Sequence, residues 1–146
     1  MEIATNRFGQ LDIEPSDLIH FPRGILGMEG CKQWVLLADN QNDALGWLQS
    51  TERPEVALAV VSPRRFVPNY QIRIARREIS PLKLDQMHGV QVLVIVGKTQ
   101  RSLSLNLKAP LVFNLANHLG AQVVAKDEHP LQYELTAPAA RLKKSA

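Results

Sequence analysis

Apolar and polar side chains alternate over Leu103-Ser104-Leu105-Asn106-Leu107-Lys108, break at Ala109-Pro110, and resume over Leu111-Val112-Phe113-Asn114. A period of two puts Leu103, Leu105 and Leu107 on one face and Ser104, Asn106 and Lys108 on the other, as in a strand with one buried side. Pro110 has no N–H to give a ladder, so the strand bends, bulges or reaches an edge there. Asn106 and Asn114 then either cap a kinked strand or offer amides to a partner. Similar β-compatible segments recur along the chain at 3–13, 18–21, 34–38, 45–49, 56–61, 70–75, 90–97, 103–113, 121–125 and 131–135. That spacing predicts an all-β sandwich or barrel. Gln71-Ile72-Arg73-Ile74 has the alternation of a strand wet on one side. Val92-Leu93-Val94-Ile95-Val96 has none, and predicts a central strand covered on both faces and among the most buried.

Helix signals are scarce. Ser80 as N-cap, Pro81 at the first helical position and Gly89 past the end predict one or two turns carrying Leu82, Leu84 and Met87. Single turns are expected at 27–31 and 63–68. From Thr136 the strand pattern is lost, so 1–136 reads as one domain and 137–146 as a flexible basic tail. The predicted fold is all-β: a compact, single-domain, antiparallel β-barrel-like structure with one or two short helical turns.

Composition narrows the classes. The chain has 146 residues, 45% of them hydrophobic, enough for one continuous core. No stretch approaches the ~20 apolar residues of a membrane helix, and Met1-Glu2-Ile3-Ala4-Thr5 has neither a basic nor an apolar signal region. The single cysteine, Cys31, rules out an internal disulfide and predicts a reducing, cytoplasmic setting. The net charge is only +3, but it is unevenly spread. Arg64, Arg65, Arg73, Arg76, Arg77 and Lys83 cluster with Glu78 as their acidic neighbour, and Arg141, Lys143 and Lys144 end the chain. Such a cluster is either a solvated face or a surface for phosphate backbones or an acidic partner.

Catalytic and metal-binding patterns are missing. His20, His88, His118 and His129 are scattered, without metal-ligand spacing. Asp39-Asn40-Gln41-Asn42-Asp43 has Ala44 and Ser50 where a calcium loop needs glycine and a carboxylate, and reads as a polar hairpin turn. Gly24, Gly27 and Gly30 precede no βαβ unit. Cys31 has no local base and reads as a small buried residue. No enzyme activity, metal or cofactor is expected. Trp34, Trp47, Phe66, Tyr70 and Tyr133 are the aromatic anchors. Phe66-Val67-Pro68-Asn69-Tyr70 is expected to be the most exposed of these, because prolines on a turn leave side chains projecting outward.

Phe21-Pro22-Arg23-Gly24, Leu48-Gln49-Ser50 and Asn106-Leu107-Lys108-Ala109-Pro110, with Ser62-Pro63 and Asn69-Tyr70 between them, resemble the flagellar assembly factor FliW family over about 3–133. The resemblance implies a β-barrel-like domain that binds the carbon storage regulator CsrA, an RNA-binding translational repressor, and relieves its repression of flagellin mRNA. It also implies binding to flagellin itself, in a partner switch. No direct nucleic-acid or membrane binding is expected. The partner surface is placed at Gln49, Ser50, Phe66, Asn69, Tyr70, Asn106 and Asn114. Two departures stand out: Met28 takes a position where an aromatic is expected, and a chain at +3 is poorly suited to acidic interference with RNA binding. Either Asp39, Asp43, Glu52 and Glu55 gather on one face, or antagonism is steric or conformational. The rival readings are an RNA-binding β-barrel using Arg73, Arg76 and Arg77, although no aromatic lies within 71–77 to stack a base, and a structural subunit of a larger assembly.

Overall fold

The computed structural model describes residues 1–84 and 90–135. In chain order the strands are β1 (Glu2–Thr5), β2 (Gly9–Asp12), β3 (Leu18–His20), β4 (Gln33–Ala38), β5 (Leu45–Ser50), β6 (Ala57–Val61), β7 (Val90–Lys98), β8 (Leu103–Leu105), β9 (Leu111–Asn114), β10 (Leu119–Gln122) and β11 (Tyr133–Leu135). A four-residue helix, α1 (Arg76–Ile79), precedes a 3₁₀ turn at Ser80–Leu82. The ring β3-β4-β5-β6-β7-β9-β10 closes on itself, because β7 also pairs with β9. Seven strands therefore form a barrel, antiparallel throughout except where β10 meets β3 in parallel at Leu119 and His20. The all-β, barrel-like expectation holds.

β7 explains the closure. Val90–Leu93 pair with Leu111–Asn114 of β9, while Val96–Lys98 pair with Leu103–Leu105 of β8. One long strand thus serves two partners on the same side. The chain must leave β8, bend through Pro110 and enter β9, so the predicted strand 103–113 is two strands with a bend between them. Leu93 and Ile95 point into the barrel with Trp34, Leu48, Leu111 and Phe113. Val92, Val94 and Val96 point outward and are themselves covered. The missing alternation in this run therefore reports two cores, one on each side, although only Leu93 and Val94 are fully buried. Ser104, placed by its alternation on the wet face, is instead buried opposite Gly97 of β7.

Three layers cover the barrel's outside. The β1–β2 hairpin packs Ile3 and Leu11 on Val35 and Leu37. The long crossover from β6 to β7 lays Phe66, Val67, Tyr70 and Ile72 over Val61, Val94 and Leu105. Its continuation lays Ile74, Ile79 and Leu82 over Val112, Ala121 and Val123.

Several predicted bounds are corrected. The segment 3–13 is a hairpin rather than one strand, because the Thr5 hydroxyl accepts the Phe8 N–H and donates to the Gly9 carbonyl, both at 2.8 Å. The segment 70–75 joins no ladder. Its backbone is satisfied elsewhere: the Asp127 carboxylate accepts the Arg73 N–H, and the Lys126 N–H donates to Arg73 O at 2.8 Å. Residues 27–31 form turns around an Ile25–Met28 bridge rather than a helix. Gly24, at φ +67°, could not be replaced there, since a Cβ would lie 2.6 Å from the Glu29 backbone. Helix α1 starts before Ser80, which stands at its C-cap. A 3₁₀ turn at Pro63–Arg65 matches the expected turn at 63–68. Met87, Gly89 and the predicted tail 137–146 lie outside the described residues.

Candidate functional site

The seven residues placed at a partner surface fall into three separate environments. Gln49 and Ser50 end β5 and are fully buried. The Gln49 amide donates to Ser50 O, Pro54 O and Val56 O at 2.9, 3.4 and 3.1 Å. The Ser50 hydroxyl accepts the N–H groups of Glu52 and Arg53 at 3.1 and 3.0 Å. The Leu-Gln-Ser motif therefore folds the β5–β6 turn from within, and the expectation that it faces outward is corrected. The turn is then docked by Glu52, whose carboxylate accepts the N–H of Lys32 and of Gln33 at 2.7 and 2.9 Å. Those backbone donors hold the Glu52 carboxyl below its ordinary range.

Asn114 is also buried, and its amide donates to Leu82 O at 2.8 Å, tying the end of β9 to the 3₁₀ turn. It is a structural tie between strand and crossover rather than an outer-face amide.

The third environment brings together four of the predicted residues. The Tyr70 hydroxyl donates to Leu107 O at 2.6 Å, which anchors the crossover segment 66–70 against the bend at 106–110. Tyr70 is 3% exposed, so it is the anchor rather than the projecting aromatic. Burial pushes its phenol up to about 12. Phe66 is half-buried on the same cluster, and Asn69 is exposed beside it. Asn106 Oδ1 accepts the Ala109 N–H at 3.0 Å and closes the bend ahead of Pro110. An open groove of about 600 Å³ runs alongside, lined by Ser62, Pro63, Arg64, Tyr70, Gln71 and Val92 among others. Of the seven, Phe66, Asn69 and Asn106 retain accessible surface in this environment, while Tyr70 is the one that lines the groove.

Charged residues are arranged differently from the linear pattern. Arg73 pairs with Asp127 at 3.1 Å, Arg65 with Asp43 at 3.5 Å, and the Arg64 Nε donates to Tyr70 O at 3.1 Å. Asp127 is held below its usual carboxylate range, first by the Arg73 backbone N–H. The four carboxylates that one of the two alternatives gathers on one face are likewise engaged: Glu55 pairs with Arg53 at 2.8 Å, and Asp39 accepts the Trp47 indole N–H at 3.0 Å. Asp39 also accepts the N–H groups of Gln41 and Asn42, as a polar hairpin turn requires. Among the described residues no cluster of His, Cys, Asp or Glu could hold a metal ion, and no helix is long and apolar enough to cross a membrane. Cys31 is buried in the barrel core beside Trp34. Sequence reasoning missed Asp127 and the turn-docking role of Glu52, whose partners lie 54 and 19 residues away and leave no local signal.

The decisive observation is a match to the model of the FliW protein family over residues 2–136. The chain belongs to the FliW family. It is 32% identical over 143 residues to the flagellar assembly factor FliW of Thermoanaerobacter pseudethanolicus, covering 92% of this chain and 95% of that relative. It is 35% identical over 138 residues to that of Syntrophus aciditrophicus, covering 92% and 87%. A crystal structure of the flagellar assembly factor FliW superimposes with a TM-score of 0.85 at 27% identity, covering 94% of this chain and 99% of that one. In this FliW chain, the motifs that carry the resemblance are chiefly those that shape the β5–β6 turn and the bend at Pro110.

Proposed function

We propose that this chain is a flagellar assembly factor that acts in the cytoplasm by binding CsrA and so relieving repression of flagellin mRNA. Flagellin competes for the chain in a partner switch. The observation that carries this reading is family membership across nearly the whole domain, 2–136. A barrel filled with apolar side chains, and carboxylates already engaged by backbone and arginine partners, favours binding over covalent chemistry. The switch then runs by mass action, the partner in excess setting the state. With Asp39, Asp43, Glu52 and Glu55 each engaged, antagonism by steric or conformational means fits better than acidic mimicry of RNA. Arg73 is paired with Asp127, which weakens the RNA-binding alternative.

The contact surface is best sought at Phe66, Asn69 and Asn106, which keep accessible surface, not at the buried Gln49, Ser50, Tyr70 and Asn114. Titration calorimetry with purified CsrA tests both parts. Binding by the parent chain is expected, with Asn69→Ala weakening it and leaving the melting temperature unchanged. No detectable binding by the parent overturns the function, whereas full-strength binding by Asn69→Ala and Asn106→Ala relocates the surface.

A further inference from the structure

Three hydrogen bonds join stretches far apart in sequence into one surface. Arg23 Nη1 donates to Arg77 O at 2.9 Å, the Leu26 N–H donates to Gln122 Oε1 at 2.9 Å, and the Val124 N–H donates to Glu78 Oε2 at 3.2 Å. The loop after Phe21, helix α1 and the chain leaving β10 are thereby held side by side. Two apolar side chains stand out there, Leu26 at 66% and Val124 at 46% exposed. Arg23 on the loop and Arg76 and Arg77 on α1 are exposed on the same joined stretches, and among the described residues none of the three is in an ion pair. The two carboxylates on these stretches are turned onto backbone donors: Glu78 Oε2 accepts the Val124 N–H at 3.2 Å, and Glu29 Oε2 accepts the Gly27 N–H at 3.2 Å.

We propose that this surface docks an acidic, amphipathic segment of a partner protein. A single exposed leucine or valine is ordinary, and so is an exposed arginine. An apolar pair rimmed by arginines on a prefixed backbone is the anatomy of an interface, with a desolvated centre and a polar rim. Arginine suits this rim because its planar fork binds carboxylates in pairs and is more weakly hydrated than an ammonium. The hydrogen bonds across the three elements reduce the ordering cost of docking. Nucleic acid fits less well, since none of these residues is an aromatic on which a base could stack. The surface shares no residue with the lining of the groove at Tyr70.

The test is fluorescence anisotropy with a labelled synthetic peptide of about 18 residues, leucine at helical i, i+3, i+4 spacing and glutamate elsewhere. Its comparators are the same peptide with lysine for glutamate and a single-stranded RNA of about 20 nucleotides. The glutamate peptide should bind, more weakly as salt rises, and the lysine peptide should not. Arg76→Glu/Arg77→Glu and Leu26→Ser should each weaken binding about tenfold or more at an unchanged melting temperature. Arg76→Gln/Arg77→Gln serves if the charge reversal disturbs the fold. Amide shifts on binding should concentrate at 23–27, 76–79 and 122–126. The proposal is overturned by absence of glutamate-peptide binding, by binding that survives both substitutions, or by RNA as the only ligand lost on charge reversal.

Discussion

Tyr70 shows how one hydroxyl holds two segments together. Its bond to Leu107 O is buried at 2.6 Å, so Tyr70→Phe leaves that carbonyl without its partner. A loss of about 1 to 2 kcal/mol in chemical denaturation is expected. The phenol's rise from 10.0 to about 12 means the folded state prefers the neutral form. Its contribution is therefore complete below pH 10 and lost as pH rises through about 12. Tyr70→Phe should abolish that alkaline step, read from the absorbance of the phenolate. Gln49 is the second such residue. Gln49→Leu removes the donor to Ser50 O, Pro54 O and Val56 O, and about 2 kcal/mol of stability should go with it. Gly120→Ala should be worse tolerated than its size suggests, because the added Cβ would meet the Phe21 ring at 2.4 Å inside the barrel.

Among the elements, the β5–β6 turn is fastened by an exposed carboxylate, Glu52, on two backbone N–H groups. A carboxyl held below its ordinary 4.5 stabilises the fold above that value and loses the effect as pH falls through the folded-state value. Glu52→Gln should flatten acid denaturation below about pH 4.5, and cost less than about 1 kcal/mol at neutral pH because the site is solvated. Sequence pattern located most strands because half-buried strands carry a period of two, and it placed the break at Pro110 because proline cannot serve a ladder. It failed at 70–75, where Ile72 and Ile74 do alternate inward but the backbone partners are Asp127 and Lys126 rather than a strand. It failed on Gln49, Ser50 and Asn114 for a related reason. An amide in a strand looks alike from sequence whether it meets a partner protein or a buried carbonyl of its own chain. Only the fold decides which carbonyl is near.

In the whole molecule the ring strands are locked by ladders on both sides, while the crossover 71–75 is held by loop contacts and side chains. Hydrogen exchange should follow that division, with slow amides in β4 to β7 and exchange at 71–75 faster by orders of magnitude. Cys31→Ala should lower the melting temperature through a cavity beside Trp34 and leave the proposed binding to CsrA unchanged, as calorimetry would record. The closing pair, His20 with Leu119, carries a further consequence. These residues are about a hundred positions apart, so a growing polypeptide cannot shut the ring until β10 has left the ribosome. Until then the faces of Trp34, Leu48 and Val60 destined for the interior stay open to water. Synthesis of roughly the first four fifths of this protein thus yields a curled, unsealed sheet that is exposed to chaperones and to aggregation, and the final strands act as its latch.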